Sequence, residues 1–185
     1  MTANNFISTP TVAKFYFNNP NPDDIYIMDI AHALSLICRF GGHCDSFYSV
    51  AEHSIILGTL LEKDGADDLT LLAALLHDAE EAYLPDIPRP IKAMMPEADK
   101  IYEHLSQAID DKYLLRGASW SIIYDYDRRL CITEAKALGI WNEEWEDAGP
   151  SLPAKLFLWK PEEAEQLFIN NFVELSEKCY NFTMK

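Results

Sequence analysis

The sequence predicts an all-α protein, and three observations carry that prediction. Apolar residues recur at three- and four-residue spacing along most of the chain, as helices burying one stripe require. Strand-like alternation is confined to residues 5–17, where Phe6, Ile7, Phe15 and Phe17 surround Pro10. The breaks between the periodic stretches carry cap and stop residues rather than hairpin signals. The expected architecture is a bundle of about six helices with a short N-terminal hairpin. With 185 residues, 49% of them hydrophobic, one domain spanning residues 1–185 is expected, and two independent cores are not.

The elements follow in order. Asn18 to Asp24, NNPNPDD, is turn chemistry. Asp29 reads as the cap of a helix through about Cys38, with Ile30, Leu34 and Ile37 inward, stopped by Arg39-Phe40-Gly41-Gly42-His43. Ser49-Val50-Ala51-Glu52 reads as a capping box opening a helix to about Glu62. A central helix is expected over about 67–83, another from Pro96 to about Tyr113, and a long one from Ser119 to near Gly139. The stretch WNEEWEDAGPSLPAK reads as irregular, and Pro161 opens a last helix to about Cys179. No internal repeat or low-complexity tract is present.

Charge narrows the function. Fifteen Lys plus Arg against thirty Asp plus Glu give a formal charge of −15, which repels a phosphate backbone and argues against binding polymeric nucleic acid. A small anionic ligand stays possible if cations are gathered locally. Cys38, Cys44, Cys131 and Cys179 lack CxxC or framework spacing, so reduced thiols and a cytoplasmic setting are expected. MTANNFISTP has no signal-peptide pattern, and no apolar run approaches the ~20 residues of a membrane helix.

The chemistry centres on Leu69 to Pro96, LTLLAALLHDAEEAYLPDIPRPIKAMMP. An apolar helix carries His77 and Asp78, and at helical spacing Glu81 stacks one turn beyond them. A proline-stiffened loop with Asp86, Arg89 and Lys92 follows. Taken alone, HDAEE fits equally a helix that surfaces and displays solvated acids. Two other inward polar residues shift the balance. His53 lies in line with Val50, Leu57 and Leu60, and Asp127 shares a face with Ile123, Leu130, Cys131 and Glu134. An inward aspartate needs a partner to offset desolvation. His53, His77, Asp78 and Asp127 therefore read as one ligand set for a divalent ion such as zinc, cobalt, manganese or iron.

The order H…HD…D, set as VAEHS, LLHDAEEAY and DYDRRL, resembles the HD-domain metal-dependent phosphohydrolases. ICRFGGH, FYSVAEHS, LLHDAEEAYLPDIPRPIK and DRRLCITEAKALG resemble their small nucleotide-hydrolysing branch over roughly residues 25–140. That branch includes deoxyribonucleoside 5′-monophosphatases, prophage 5′-nucleotidase-like proteins and phage dATP triphosphohydrolases. The resemblance implies an HD-domain helical bundle with His53, His77, Asp78 and Asp127 as metal ligands. It implies Glu81 as the acid that activates or orients water, Arg39 and Lys92 as phosphate-holding cations, and Asp86 near the sugar and leaving group. Phe40 stands where the monophosphatases often carry a deoxyribose-packing tryptophan. His43 and Glu134 recur in the motifs without a role to assign. The implied reaction is hydrolysis at the phosphorus bearing O5′ of a deoxynucleotide, with dATP the preferred substrate, a 5′-monophosphate the alternative and a non-catalytic nucleotide sensor a third reading. A homo-oligomer is expected, in a host cytoplasm if the chain is phage-encoded.

Overall fold

The computed structural model describes residues 6–85, 87, 89–92, 94–143 and 149–181. Strands β1 (Phe6–Ile7) and β2 (Phe15–Tyr16) form an antiparallel pair, with Phe6 opposite Tyr16 and Ile7 opposite Phe15. The helices are α1 (Ile27–Leu36), α2 (Val50–Lys63), α3 (Asp68–Leu75), the four-residue α4 (Arg89–Lys92), α5 (Pro96–Lys112), α6 (Trp120–Ala137) and α7 (Pro161–Asn181). The expected all-α bundle with a small N-terminal hairpin is what forms. Among the described residues no helix is long and apolar enough to cross a membrane.

The middle of the bundle is α2, which packs against α1, α3, α6 and α7. Every residue from Val50 to Leu57 is buried, polar Glu52, His53 and Ser54 among them. A helix buried all round presents no solvent face, so each of those polar side chains must find a partner inside. The helix begins where Ser49, in an extended conformation, accepts a hydrogen bond from the Glu52 N–H. Asp67 starts α3 in the same way, accepting from the Thr70 N–H at 3.0 Å and the Thr70 hydroxyl at 2.9 Å.

Four local expectations are corrected. Asp29 does not cap α1, which begins two residues earlier behind Tyr26. The carboxylate is buried in the first turn and accepts from the Thr11 hydroxyl, which ties the hairpin segment to the helix. Helix α1 stops at Leu36, because Ile37, Arg39, Tyr48 and Val50 pair their backbones: Arg39 N–H donates to Tyr48 O (2.9 Å) and Val50 N–H to Ile37 O (3.1 Å). The capping box is half realised, since the Glu52 side chain reaches forward rather than back. The central helix ends at Leu75, not near 83. There the Leu76 N–H is shared between the Leu72 and Ala73 carbonyls at 3.2 Å each, and the His77 ring takes the Ala74 carbonyl at 2.9 Å. That carbonyl is the one a continuing helix would give to Asp78. Residues 76–78 turn, and a single 3-10 turn follows over Ala79–Ala82.

The glycine after α6 sits at φ +76°, and any side chain there would run into the Asp45 carboxylate. Asp45 also donates its N–H to the Leu138 carbonyl at 3.1 Å, so Gly139 lets the loop after Arg39 dock on the end of α6.

Glu52 supplies the clearest stability test. One of its oxygens accepts from the Phe157 and Leu158 N–H groups at 2.6 and 2.9 Å, and the other from the Trp159 N–H at 2.8 Å. Leu158 has φ +57°, which turns three successive N–H groups into a concave nest around the carboxylate. Glu52→Ala removes the acceptor for three donors and is expected to cost about 3 kcal/mol or more. Urea unfolding checks the loss, and faster amide exchange confined to residues 157–159 checks its location.

Candidate metal centre

Donor atoms of His53, His77 and Asp127 lie within 4.8 Å of one another near the start of α2, and Asp78 stands beside the two rings. His53 Nε2 lies 3.3 Å from His77 Nε2 and 3.3 Å from Asp127 Oδ1. Asp78 Oδ2 lies 3.1 Å from His77 Nε2 and 3.8 Å from His53 Nε2. His53 comes from α2 and Asp127 from the middle of α6. His77 and Asp78 come from the turn that ends α3, not from the helix the sequence suggests. His53, His77 and Asp127 are all buried, and Asp78 is half-buried.

Hydrogen bonds on the far side of each ring decide what faces inward. The Ala74 carbonyl can only accept, so the His77 proton sits on Nδ1. His53 Nδ1 lies 2.6 Å from Glu134 Oε1, which also accepts from the Tyr48 hydroxyl at 2.7 Å. Glu134 is ionised, so His53 too carries its proton on Nδ1. Two Nε2 lone pairs then point at each other, with two carboxylate oxygens beside them. That arrangement repels itself unless a cation or a proton stands between.

The spacing and the charge both fit a divalent ion. Donors sharing one ion at about 2.1 Å stand about 3.0 Å apart at right angles and about 3.4 Å apart in a tetrahedron. The observed separations of 3.1 to 3.8 Å lie close to those values. Among the described side chains paired with one another here, the carboxylates of Glu134, Asp78 and Asp127 outnumber the Arg39 guanidinium, a negative balance that a divalent cation offsets. Imidazole and carboxylate together suit a borderline transition ion.

Protonation of these groups follows the same charges. Burial and Arg39 both work to discharge His53, but Glu134 and Asp127 overcome them and push its pKa up to about 9. Burial would raise Glu134, yet Arg39, His53 and the Tyr48 hydroxyl hold it below the usual carboxylate range. Asp127 is likewise held down, against burial, by the hydrogen bond and charge of His53.

The structure distributes the remaining expected residues unevenly. Arg39 is brought to the centre, but as a buried bridge: its Nε lies 3.2 Å from Glu134 Oε2 and its Nη1 3.5 Å from Asp78 Oδ2. Phe40 follows it at φ 58°, its ring 5.5 Å from the guanidinium, and opens a left-handed run with Gly41 and Gly42. A bulky residue in that region is strained, a condition found at functional turns. Glu81 is half-buried on the 3-10 turn, its N–H donating to the Asp78 carbonyl at 3.0 Å. Lys92 ends α4 with its Nζ 3.5 Å from the centre of the Tyr102 ring. Asp86 lies outside the described residues. His43 is exposed at the end of the left-handed turn. Sequence reasoning missed the roles of Glu134 and Tyr48. The available signal was Glu134's place on the face of Asp127, seven residues on, where a second inward carboxylate called for partners.

Glu134→Ala leaves Arg39 and His53 buried without their shared counter-ion. Breaking such a network from one side typically costs about 3–5 kcal/mol, and chemical denaturation of the metal-free protein measures it. Tyr48→Phe removes one donor to an ionised acceptor and is expected to cost about 1.5–3 kcal/mol.

No family model matches the sequence. The uncharacterized protein YfdR of Escherichia coli is 36% identical over 180 residues, 94% of this chain and 98% of that protein. An uncharacterized protein of Rhodobacter capsulatus is 46% identical over 79 residues, 40% of each chain. A 5′-deoxynucleotidase of Vibrio vulnificus is 28% identical over 107 residues, 57% of this chain and 44% of that one. With near-complete coverage at that identity, the chain belongs to the family of Escherichia coli YfdR.

Proposed function

We propose that the chain is a divalent-metal-dependent phosphohydrolase acting on deoxyribonucleoside 5′-monophosphates. The observation that carries this reading is the convergence of His53, His77, Asp78 and Asp127 with both ring protons turned away from the centre. One relative, the Vibrio vulnificus protein, is a 5′-deoxynucleotidase, which favours the monophosphate over the dATP that the sequence motifs suggested first.

His53, His77, Asp78 and Asp127 would hold the ion, which supplies Lewis acidity toward water and a phosphoryl oxygen. Glu134 fixes the His53 ring through Nδ1, and the Ala74 carbonyl fixes His77, so neither ring must reorient to bind. Glu81 takes the proton of the attacking water, from a turn whose backbone is pinned to Asp78. Arg39 sets the position of Asp78 and Glu134 and directs positive charge at the phosphate. Lys92 adds a second cation at the rim, and Phe40 packs against the deoxyribose. Asp86 is assigned to the sugar and leaving-group side from the motif alone. The O5′–P bond breaks, and deoxynucleoside and inorganic phosphate leave.

The deciding experiment is chromatography of products from a panel of dNMPs, NMPs and dNTPs with manganese, cobalt or zinc. Deoxynucleoside and phosphate from dNMPs are expected. Turnover of dATP to deoxyadenosine and triphosphate with inert dNMPs would replace this reading by the triphosphohydrolase one.

Purified protein is expected to carry about one divalent ion per chain, and His77→Ala and Asp127→Ala to lose it by elemental analysis. Full metal content in both variants removes the ligand assignment. Glu81→Ala is expected to keep the ion and lose about 10²–10⁴ in kcat, the range of a general-base contribution. Wild-type kcat in that variant would return Glu81 to a surface role.

A further inference from the structure

Helix α6 carries more toward this centre than Asp127. Three residues earlier on the same face stands Tyr124, and four before that Trp120, so the three share one stripe. Along the axis they lie about 4.5 and 10.5 Å from Asp127. The two rings are stacked, centroids 5.8 Å apart and planes at 28°. Tyr124 keeps 54% of its surface exposed although its neighbour Ile123 is fully buried. Its hydroxyl is pushed above the ordinary tyrosine range by burial first, and then by the charges of Glu80, Asp110, Asp78 and Asp127.

Resting on the phosphohydrolase reading, we propose that Trp120 and Tyr124 form the platform on which the nucleobase of the substrate stacks. A phosphate held at the metal centre sends its sugar and base away from it, and the stripe of α6 runs outward from Asp127. In a protein of charge −15 an aromatic face attracts a base without adding another repelling charge near the phosphate. Trp120 is half-buried and braces the tyrosine, which limits the entropy lost when a base lands on it. Every base has a π-face, so such a platform tolerates all four bases and discriminates nucleotides from bare sugar phosphates.

The test compares equilibrium binding of dAMP and of 2-deoxyribose 5-phosphate to the manganese-loaded full chain, in a Glu81→Ala background to limit turnover. Wild-type Tyr124 is expected to favour dAMP by about five- to a hundredfold, the fold-range of one base stacked on an aromatic ring. Tyr124→Ala is expected to close most of that gap, Tyr124→Phe to keep it, and Trp120→Leu to narrow it. A gap unchanged in Tyr124→Ala, or no gap with Tyr124 present, overturns the platform. The product panel judges the hydrolase reading separately. Turnover with a Tyr124-independent gap sinks the platform alone. A Tyr124-dependent gap without turnover of any nucleotide sinks the hydrolase reading and leaves a nucleotide-binding surface.

Discussion

Glu134 is a carboxylate with no exposed surface, and the low dielectric around it allows an ionised acid only where positive charge and donors surround it. Tyr48 donates to it, Arg39 lies against it and His53 shares a proton with it at 2.6 Å. Those partners come from the loop before α2, the turn after α1 and α2 itself, so one buried charge fixes three segments against α6. The left-handed run at Phe40, Gly41 and Gly42 follows from the same constraint. The chain must reverse sharply after Arg39 if the guanidinium is to stay inside while the loop returns to Tyr48.

A second economy lies at the end of α3. The His77 ring closes the helix by taking the Ala74 carbonyl, and that same bond aims Nε2 at His53. Helix termination and ligand orientation are one event. A longer helix would occupy the carbonyl and leave the ring free to rotate, and Asp78 would project about 100° further round the axis. The turn therefore places two adjacent residues on one centre, where adjacent positions on a helix diverge by about 100°.

Much of this was legible in the sequence, and the gaps have physical causes. His53 and Asp127 were readable because an imidazole and a carboxylate on apolar stripes demand partners. His77 and Asp78 were readable as chemistry but not as a turn. LTLLAALLHDAEEA is apolar or helix-favouring throughout, and composition gives no sign that a histidine ring will claim a backbone carbonyl. Glu52 satisfied the capping-box pattern, yet its side chain found three N–H donors more than 100 residues away. Such long-range partners leave no local trace. Glu134 showed the mirror case: its inward face was visible, but Tyr48 lies 86 residues earlier. Mono- and triphosphate substrates break the same O5′–P bond, so residue spacing around the centre carries little that separates them.

The nest around Glu52 sets a rule for how this part of the chain can drift over generations. Residues 157–159 hold the acid only with main-chain hydrogens, so their side chains answer to other constraints: the stacking of Phe157 on Trp159, the packing of Trp159 on the core, and the left-handed backbone at 158. Proline alone is barred from all three places, because it has no hydrogen to give. Glu52, by contrast, admits no substitute that offers two anionic oxygens at the same reach. It sits beside His53 and touches no donor atom of the centre among its side-chain hydrogen bonds. In a mutational scan it would score with the ligands, as an invariant-looking acid next to a histidine, while its work is to moor a distant loop.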